Sequence, residues 1–471
     1  MKVLFIQNFW HEHLGTMCLS SVLKSRGHSV SVAIGKDYFQ LGDRIKNFSP
    51  DLVCFSCTTG EHVWSLDIAS KVKRIVNVPI VFGGPHPTYM PKIIQEGCVD
   101  YVCIGEGEGA IADLVAKLER GEDASVIANI MAKKGTNLIR NAVRPLIENL
   151  DAMPFPDRTI YYDEYRAIKD NPVKHFMAGR GCLFDCNYCY NHQWKQLYSG
   201  KGHILRYHSP DYCIDEILNV KKCYPLGTVV FEDDTFSSNR KWLMEFLEKY
   251  RVSVRVPFAC NVHAATVTEE IAVALGRSGC FRVNMGVESG NDKLRHMVLN
   301  KNVADEQIIK AAERLHRNKI KVLTNNMLGL PGETLKDAYE TVKLNIRIKT
   351  DYPWCSILQP YPNTKIEEYV RRSNNINLLR NKKFHNTFFE DSVLTQPDIK
   401  EIVNLQKLFY IAVRAPSLFP VIKMLIRLPL KRVYHFAFLI TFAYRYMRCH
   451  RMTPIQMFLF SIRNRELYGD A

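Results

Sequence analysis

Gly179–His192 reads GRGCLFDCNYCYNH, and its three cysteines, Cys182, Cys186 and Cys189, stand at the spacing C-x3-C-x2-C. Short turns at this spacing can wrap three thiolates around one face of a [4Fe-4S] cube and leave the fourth iron open, whereas a fully ligated ferredoxin-type cluster takes four cysteines. Zinc is the competing reading, because His192 follows three residues later and completes a Cys3His set. Free thiols without metal are the third. The aromatic Tyr188 and the Gly-Arg-Gly lead favour the cluster.

The run resembles the signature of radical S-adenosylmethionine (SAM) enzymes, CxxxCxΦC with Φ aromatic. FEDDTF (231–236), CFRVNMGVESG (280–290), NNMLGLPGET (325–334) and QPYPNT (359–364) follow in the order that family shows. Upstream, GGPHPT (83–88) and DYVCIGEGEG (100–109) look like the cobalamin-binding domain that one branch of the family carries. The resemblance spans about residues 1–365.

Periodicity supports the same layout independently. KVLFIQ, SVSVAI, DLVCFSC, PIVFGG and DYVCIG read as five short buried strands separated by helical stretches, an open α/β sheet over residues 1–125 of the doubly wound, flavodoxin-like kind. Residues 126–172 carry Pro145, Pro154, Pro156 and Pro172 and read as a connector. From 173 to 365, six further strands alternate with helices, which suits the partial (β/α)6 barrel of the radical SAM fold. Functional groups in such a barrel belong at the carboxyl ends of the strands. Residues 366–471 read as a mainly helical segment, apolar and basic.

The resemblance assigns the cofactors, a [4Fe-4S] cluster, SAM and cobalamin, and their binding residues. Cys182, Cys186 and Cys189 would hold the cluster. Asp233 and Asp234 would meet the SAM amino group, and Glu288 and Ser289 its ribose or carboxylate. Gly329 and Gly332 would let backbone approach the adenine, and Tyr188, the aromatic of the signature, is a further cofactor-binding residue. Lys301 and Asn325 are further candidates for the same lining. The plain alternatives are a helix cap for the aspartates, a buried salt bridge for Glu288 and a simple turn for the glycines. Ser56, Thr58, Thr59, Gly83, Gly84, Gly105, Glu106 and Gly107 end the third, fourth and fifth strands, where an open sheet binds its ligand. By resemblance they form a groove for the cobalamin tail. Cobalamin domains of the methionine synthase type place a cobalt-ligating histidine in D-x-H-x-x-G. Here W-H-E-H-L-G puts Glu12 in that slot, with His11 and His13 each one residue off, so a lower face without a histidine ligand is expected.

The implied activity is reductive cleavage of SAM by a methyltransferase acting on an unactivated carbon or phosphorus centre. The alternatives are cobalamin-assisted oxidation or cyclisation of a tetrapyrrole-like or lipid substrate, and a non-catalytic sensor. A small-molecule substrate and an electron donor such as flavodoxin or ferredoxin are the expected partners. The first strand begins at Lys2 with no leader ahead of it, and the remaining cysteines fall singly, so a reducing cytoplasm is expected. Net charge is +15, and from Glu401 onward 11 Lys or Arg face 3 Asp or Glu, an excess of 8. The longest uncharged run there, 433–444, is 12 residues, short of the roughly 20 that span a bilayer. Two readings remain, a buried helical cap and a basic amphipathic surface in peripheral contact with a membrane. Nucleic acid is not expected, because no stacking module accompanies the charge.

Overall fold

The computed structural model describes residues 1–373, 377–378, 389, 391–450 and 452–463, and the chain divides into two compact units. The first contains residues 1–171 and 193–206. Its elements are β1 (Lys2–Gln7), α1 (Leu14–Ser25), β2 (Ser29–Ile34), α2 (Tyr38–Phe48), β3 (Leu52–Ser56), α3 (Glu61–Lys73), β4 (Ile80–Gly83), α4 (Pro85–Tyr89), β5 (Tyr101–Cys103), α5 (Glu108–Glu119), β6 (Ile130–Lys134), β7 (Asn137–Arg140), α6 (Thr159–Tyr162) and α7 (Arg166–Lys169). The sheet order is β2-β1-β3-β4-β5-β6-β7, parallel through β5. Val3–Ile6 and Leu52–Phe55 are buried throughout, as expected of parallel strands covered on both faces. All five apolar runs at the amino end became strands at their expected places, in the flavodoxin-like order.

The stretch expected to be only a connector is more structured than that. β6 and β7 form a hairpin across a two-residue Gly135–Thr136 loop, with Gly135 at φ 61°, and extend the sheet antiparallel from β5. Residues 150–171 then run back to the ends of β1 and β2. The Tyr165 hydroxyl accepts from Ile34 N at 2.9 Å and donates to Val32 O at 3.1 Å, while the Tyr161 hydroxyl donates to Gln7 Oε1 at 2.6 Å. The four prolines made this region look irregular, yet they lie outside the hairpin.

The second unit contains residues 172–192 and 207–471. After β8 (Val173–Phe176), the two-residue strand β9 (Gly179–Arg180), α8 (Asn191–Leu197) and the two-residue strand β10 (Arg206–Tyr207), the chain alternates regularly. It runs α9 (Pro210–Cys223), β11 (Thr228–Phe231), α10 (Arg240–Ser253), β12 (Phe258–Val262), α11 (Glu269–Arg277), β13 (Cys280–Glu288), α12 (Asp305–Arg317), β14 (Lys321–Leu328), α13 (Leu335–Arg347), β15 (Tyr352–Ile357) and α14 (Lys365–Arg372). β8 and β11–β15 form one six-stranded parallel sheet in sequential order. Phe231 is packed among Phe236, Phe246, Tyr250 and Phe258 in the core between this sheet and its helices.

The carboxyl-terminal part is mainly helical: α15 (Ile399–Arg414), α16 (Phe419–Leu425), α17 (Lys431–His450) and α18 (Pro454–Arg463). α15 covers β15 and α13, burying Ile402, Leu405 and Phe409. Buried Gln406 donates to Cys355 O at 2.9 Å, and Arg414 donates to Thr350 O at 2.9 Å. α15 is therefore a buried cap. The three helices after it bury one side only.

Candidate active site

The carboxyl ends of β8, β11, β12, β13 and β14 converge on a cleft of about 290 Å³ within the second unit. Cys182, Cys186 and Cys189 line it, with Phe184 and Tyr188 between them. Cys182 is buried, its Sγ 4.0 Å from Thr235 Oγ1, and the other two are half-buried. Burial pushes the Cys189 thiol up to about 12, a cost that binding of the thiolate to iron would reverse. His192 does not line the cleft; its Nδ1–H donates to Cys189 O at 2.7 Å. The donor set fits a three-thiolate cube with one open iron, and His192, the fourth ligand of the Cys3His alternative, is not among the residues that line the cleft.

In the same cleft, Glu288 ends β13 with φ 66°, a strained conformation for a side chain with a Cβ. The β13–β14 register shifts at the same place. Its Oε1 accepts from Tyr188 Oη at 3.0 Å and from Lys301 Nζ at 2.9 Å, so an acid, a base and a phenol meet in one buried cluster. Burial, together with the Glu288 charge, holds the Tyr188 phenol well above its usual range. Asp234, Lys301 and Asn325 also line the cleft.

Other expected site residues do different work. Asp233 is buried and turned into the protein, where its carboxylate accepts from Ala178 N at 3.0 Å and Gly179 N at 2.6 Å. It braces the turn that leads into the cysteines, and burial raises its carboxyl to about 7 despite those bonds. Ser289 is fully buried; its Oγ accepts from Asn291 N and its carbonyl from the buried Arg295 guanidinium. Gly329 and Gly332 lie outside the cleft lining. Their loop is closed by Glu333, which accepts from Gly329 N and Leu330 N, and by Gln396, which bonds Gly332 N and Leu330 O.

The cleft also contains residues that the motifs do not mark. His263 stacks on Phe184 with ring centroids 3.6 Å apart, and burial, with Lys301 nearby, lowers its pKa to about 3. Asn284 donates to Asn261 Oδ1 at 2.8 Å, and its own Oδ1 has no hydrogen-bond partner among the described residues. For His263 the available signal was its position directly after β12, whereas Asn284 lies midway along β13 and carried none.

In the first unit, Ser56, Thr58 and Thr59 follow or end β3, beside Gly83 and Gly84 at the end of β4. Thr59 Oγ1 lies 3.1 Å from His86 Nδ1, and His86 stacks on His62. Thr58 donates to Glu61 at the start of α3. Gly84 and Gly105 prove necessary for the protein's own packing. A Cβ on Gly84, at φ 91°, would stand 2.9 Å from Ser56 Oγ, and one on Gly105, at φ 81°, would run into the Tyr198 hydroxyl. A Cβ on Gly107 would press on Leu19. Tyr198 Oη accepts from Glu106 N at 2.8 Å, and the Glu106 carboxylate is paired with Arg206 at 2.9 Å in a buried bridge. Glu106 therefore anchors the chain rather than offering itself to a ligand. Glu12 is likewise engaged: it accepts from Arg158 at 3.1 Å and from the Tyr162 hydroxyl, all three buried. His11 is exposed, and His13 Nδ1 lies 3.3 Å from Thr16 Oγ1.

Family profiles match both units: Radical SAM superfamily over residues 177–344 and B12 binding domain over residues 7–115. The chain joins a B12-binding domain to a radical SAM domain. It belongs with the cobalamin-dependent radical SAM enzymes, whose cofactors are a [4Fe-4S] cluster, SAM and cobalamin. It is 29% identical over 408 residues to the uncharacterized methyltransferase PH0819 of Pyrococcus horikoshii, covering 85% of this chain and 87% of that protein. It is 25% identical to the anaerobic magnesium-protoporphyrin IX monomethyl ester cyclase of Rubrivivax gelatinosus, over 77% of this chain and 68% of that one. Its fold is similar to that of the cobalamin-dependent SAM radical enzyme OxsB, solved with aqua-cobalamin and SAM bound, with TM-score 0.69, 16% identity and coverage of 99% and 75%.

Proposed function

We propose that this chain is a methyltransferase acting on an unactivated carbon or phosphorus centre of an apolar or tetrapyrrole-like small molecule. The observation that carries the reading is the cleft: three cysteines face the Glu288–Lys301–Tyr188 cluster at the strand ends of a radical SAM domain. The likeness to PH0819 over most of both chains favours methyl transfer. When bound, the cluster supplies the electron that breaks the SAM sulfonium bond, and cobalamin carries the methyl group.

This chain's residues bind and orient. Cys182, Cys186 and Cys189 hold the cluster. Asp234, at the cleft wall, accepts from the SAM ammonium, and Glu288, fixed by Tyr188 and Lys301, accepts from the ribose. The unpartnered Oδ1 of Asn284 offers a further acceptor to whatever fills the cleft. Ser56, Thr58, Thr59 and Gly83 are the first-unit positions proposed to meet the cobalamin tail. A flavodoxin or ferredoxin supplies the electron, and with an apolar substrate the chain works at a membrane surface.

The likeness to the magnesium-protoporphyrin ester cyclase keeps oxidative cyclisation as a second reading. Incubating the reconstituted enzyme with a reductant, candidate substrates and SAM deuterated in its methyl group separates the two. Methyl transfer yields a deuterated product with 5′-deoxyadenosine and S-adenosylhomocysteine forming in step. 5′-Deoxyadenosine with an oxidised product and no S-adenosylhomocysteine would establish the cyclase reading instead.

A further inference from the structure

We propose that α16, α17 and α18 form a docking surface for an anionic lipid bilayer. α17 carries two apolar faces. One, with Tyr434, Phe438 and Phe442, is buried, and Phe438 and Phe442 pack with Met457 of α18. On the opposite side Val433, Phe436, Ile440 and Tyr444 recur at helical spacing as a single stripe, and all four are exposed, Phe436 by 65% and Ile440 by 55%. α18 repeats the pattern. Met457 is buried, while Ile455 (73%), Phe458 (66%), Leu459 and Ile462 share the outward face. Leu418, just before α16, Val421 and Met424 within it and Leu428 just after it add exposed apolar groups. A buried cap would hide these side chains, and among the described residues none covers them.

The charge on this segment selects the occupant. No Asp or Glu occurs from residue 402 to 465, while 11 Lys or Arg do. Arg427, Lys431, Arg432 and Arg448 are exposed beside the apolar stripes. A second copy of the same face would bring like charges together, and the exposed groups are mostly aliphatic, unlike the aromatic platforms that stack bases. Apolar side chains flanked by cations match the boundary between acyl chains and anionic headgroups. No described helix is long and apolar enough to cross a membrane, so the surface rests on the bilayer. Vesicle binding can be read without turnover, which keeps this inference separable from the reaction proposed above.

The test is co-sedimentation of the full chain with phosphatidylglycerol–phosphatidylcholine vesicles and with pure phosphatidylcholine vesicles. Binding to the anionic vesicles alone, falling as salt rises, is expected. Arg427→Gln and Arg432→Gln should each lower the partition coefficient about fivefold. The double change Phe436→Ser, Ile440→Ser should abolish binding with far-ultraviolet circular dichroism unchanged. Should that pair unfold the protein, the arginine variants, whose side chains are exposed, carry the test. Equal binding to both vesicles, or to neither, overturns the proposal. So does an oligomer in sedimentation velocity that the serine pair dissociates while vesicle binding persists.

Discussion

Each of the three cysteines is proposed to supply one iron ligand, so loss of any one should remove the cluster. Cys182→Ala, Cys186→Ala and Cys189→Ala are each expected to lose iron and the broad thiolate-to-iron absorption after anaerobic reconstitution, while His192→Ala keeps both. Stoichiometric zinc that depends on His192 would reverse the assignment. Glu333 sets a pH dependence. It is buried under the 329–333 loop, and burial raises its carboxyl from 4.5 to about 8. The folded protein therefore holds that proton more tightly than the unfolded chain does. The stabilisation is complete below about 4.5 and is lost as pH rises through about 8. The melting temperature should accordingly fall by several degrees across this window, with Glu333→Gln flattening the decline. Some slope should persist in that variant, because Asp233, raised to about 7, acts in the same direction.

At the scale of elements, the strand-end loops of the first unit are held by residues distant in sequence. The loop after β5 depends on Tyr198, which follows α8, and on Arg206. Gly105→Ala adds a Cβ both at positive φ and against the Tyr198 hydroxyl. It should cost about 1–3 kcal/mol of strain plus the clash, read as a lower urea midpoint. Adding Tyr198→Phe to Gly105→Ala should recover part of that loss by relieving the clash, while leaving the backbone strain. Full recovery would show that φ at this position carries no strain.

For the whole molecule, the chain path is interleaved: residues 193–206 belong to the first unit although both flanking stretches belong to the second. Each unit matches the profile of its own cofactor-binding domain, so each ligand is expected to stabilise that unit. Calorimetry of the apoprotein with added hydroxocobalamin should raise one unfolding transition, by about 2.7 kcal/mol at a hundredfold excess over Kd. Anaerobic reconstitution of the cluster should raise the other. A single transition that both ligands move together would show that the two units unfold cooperatively.

The sequence by itself determined the parallel strands of both sheets, because strands buried on two faces carry apolar runs, and those runs stand out at KVLFIQ and DLVCFSC. It also singled out the three cysteines that line the cleft, since thiolates at turn spacing lie within one loop. Tertiary structure alone decided which of two neighbours in a motif faces the cleft. Asp233 and Asp234 are adjacent, yet one bonds backbone amides and the other lines the cleft, and Glu288 and Ser289 divide in the same way. The β6–β7 hairpin was missed for a related reason: its outer strand is only four residues long and largely exposed, so only the Gly135–Thr136 turn marked it. Whether the apolar residues of α17 and α18 are covered was equally undecidable from composition. A helix that is apolar on two faces reads the same whether one face or both are packed, and only the positions of its neighbours tell them apart.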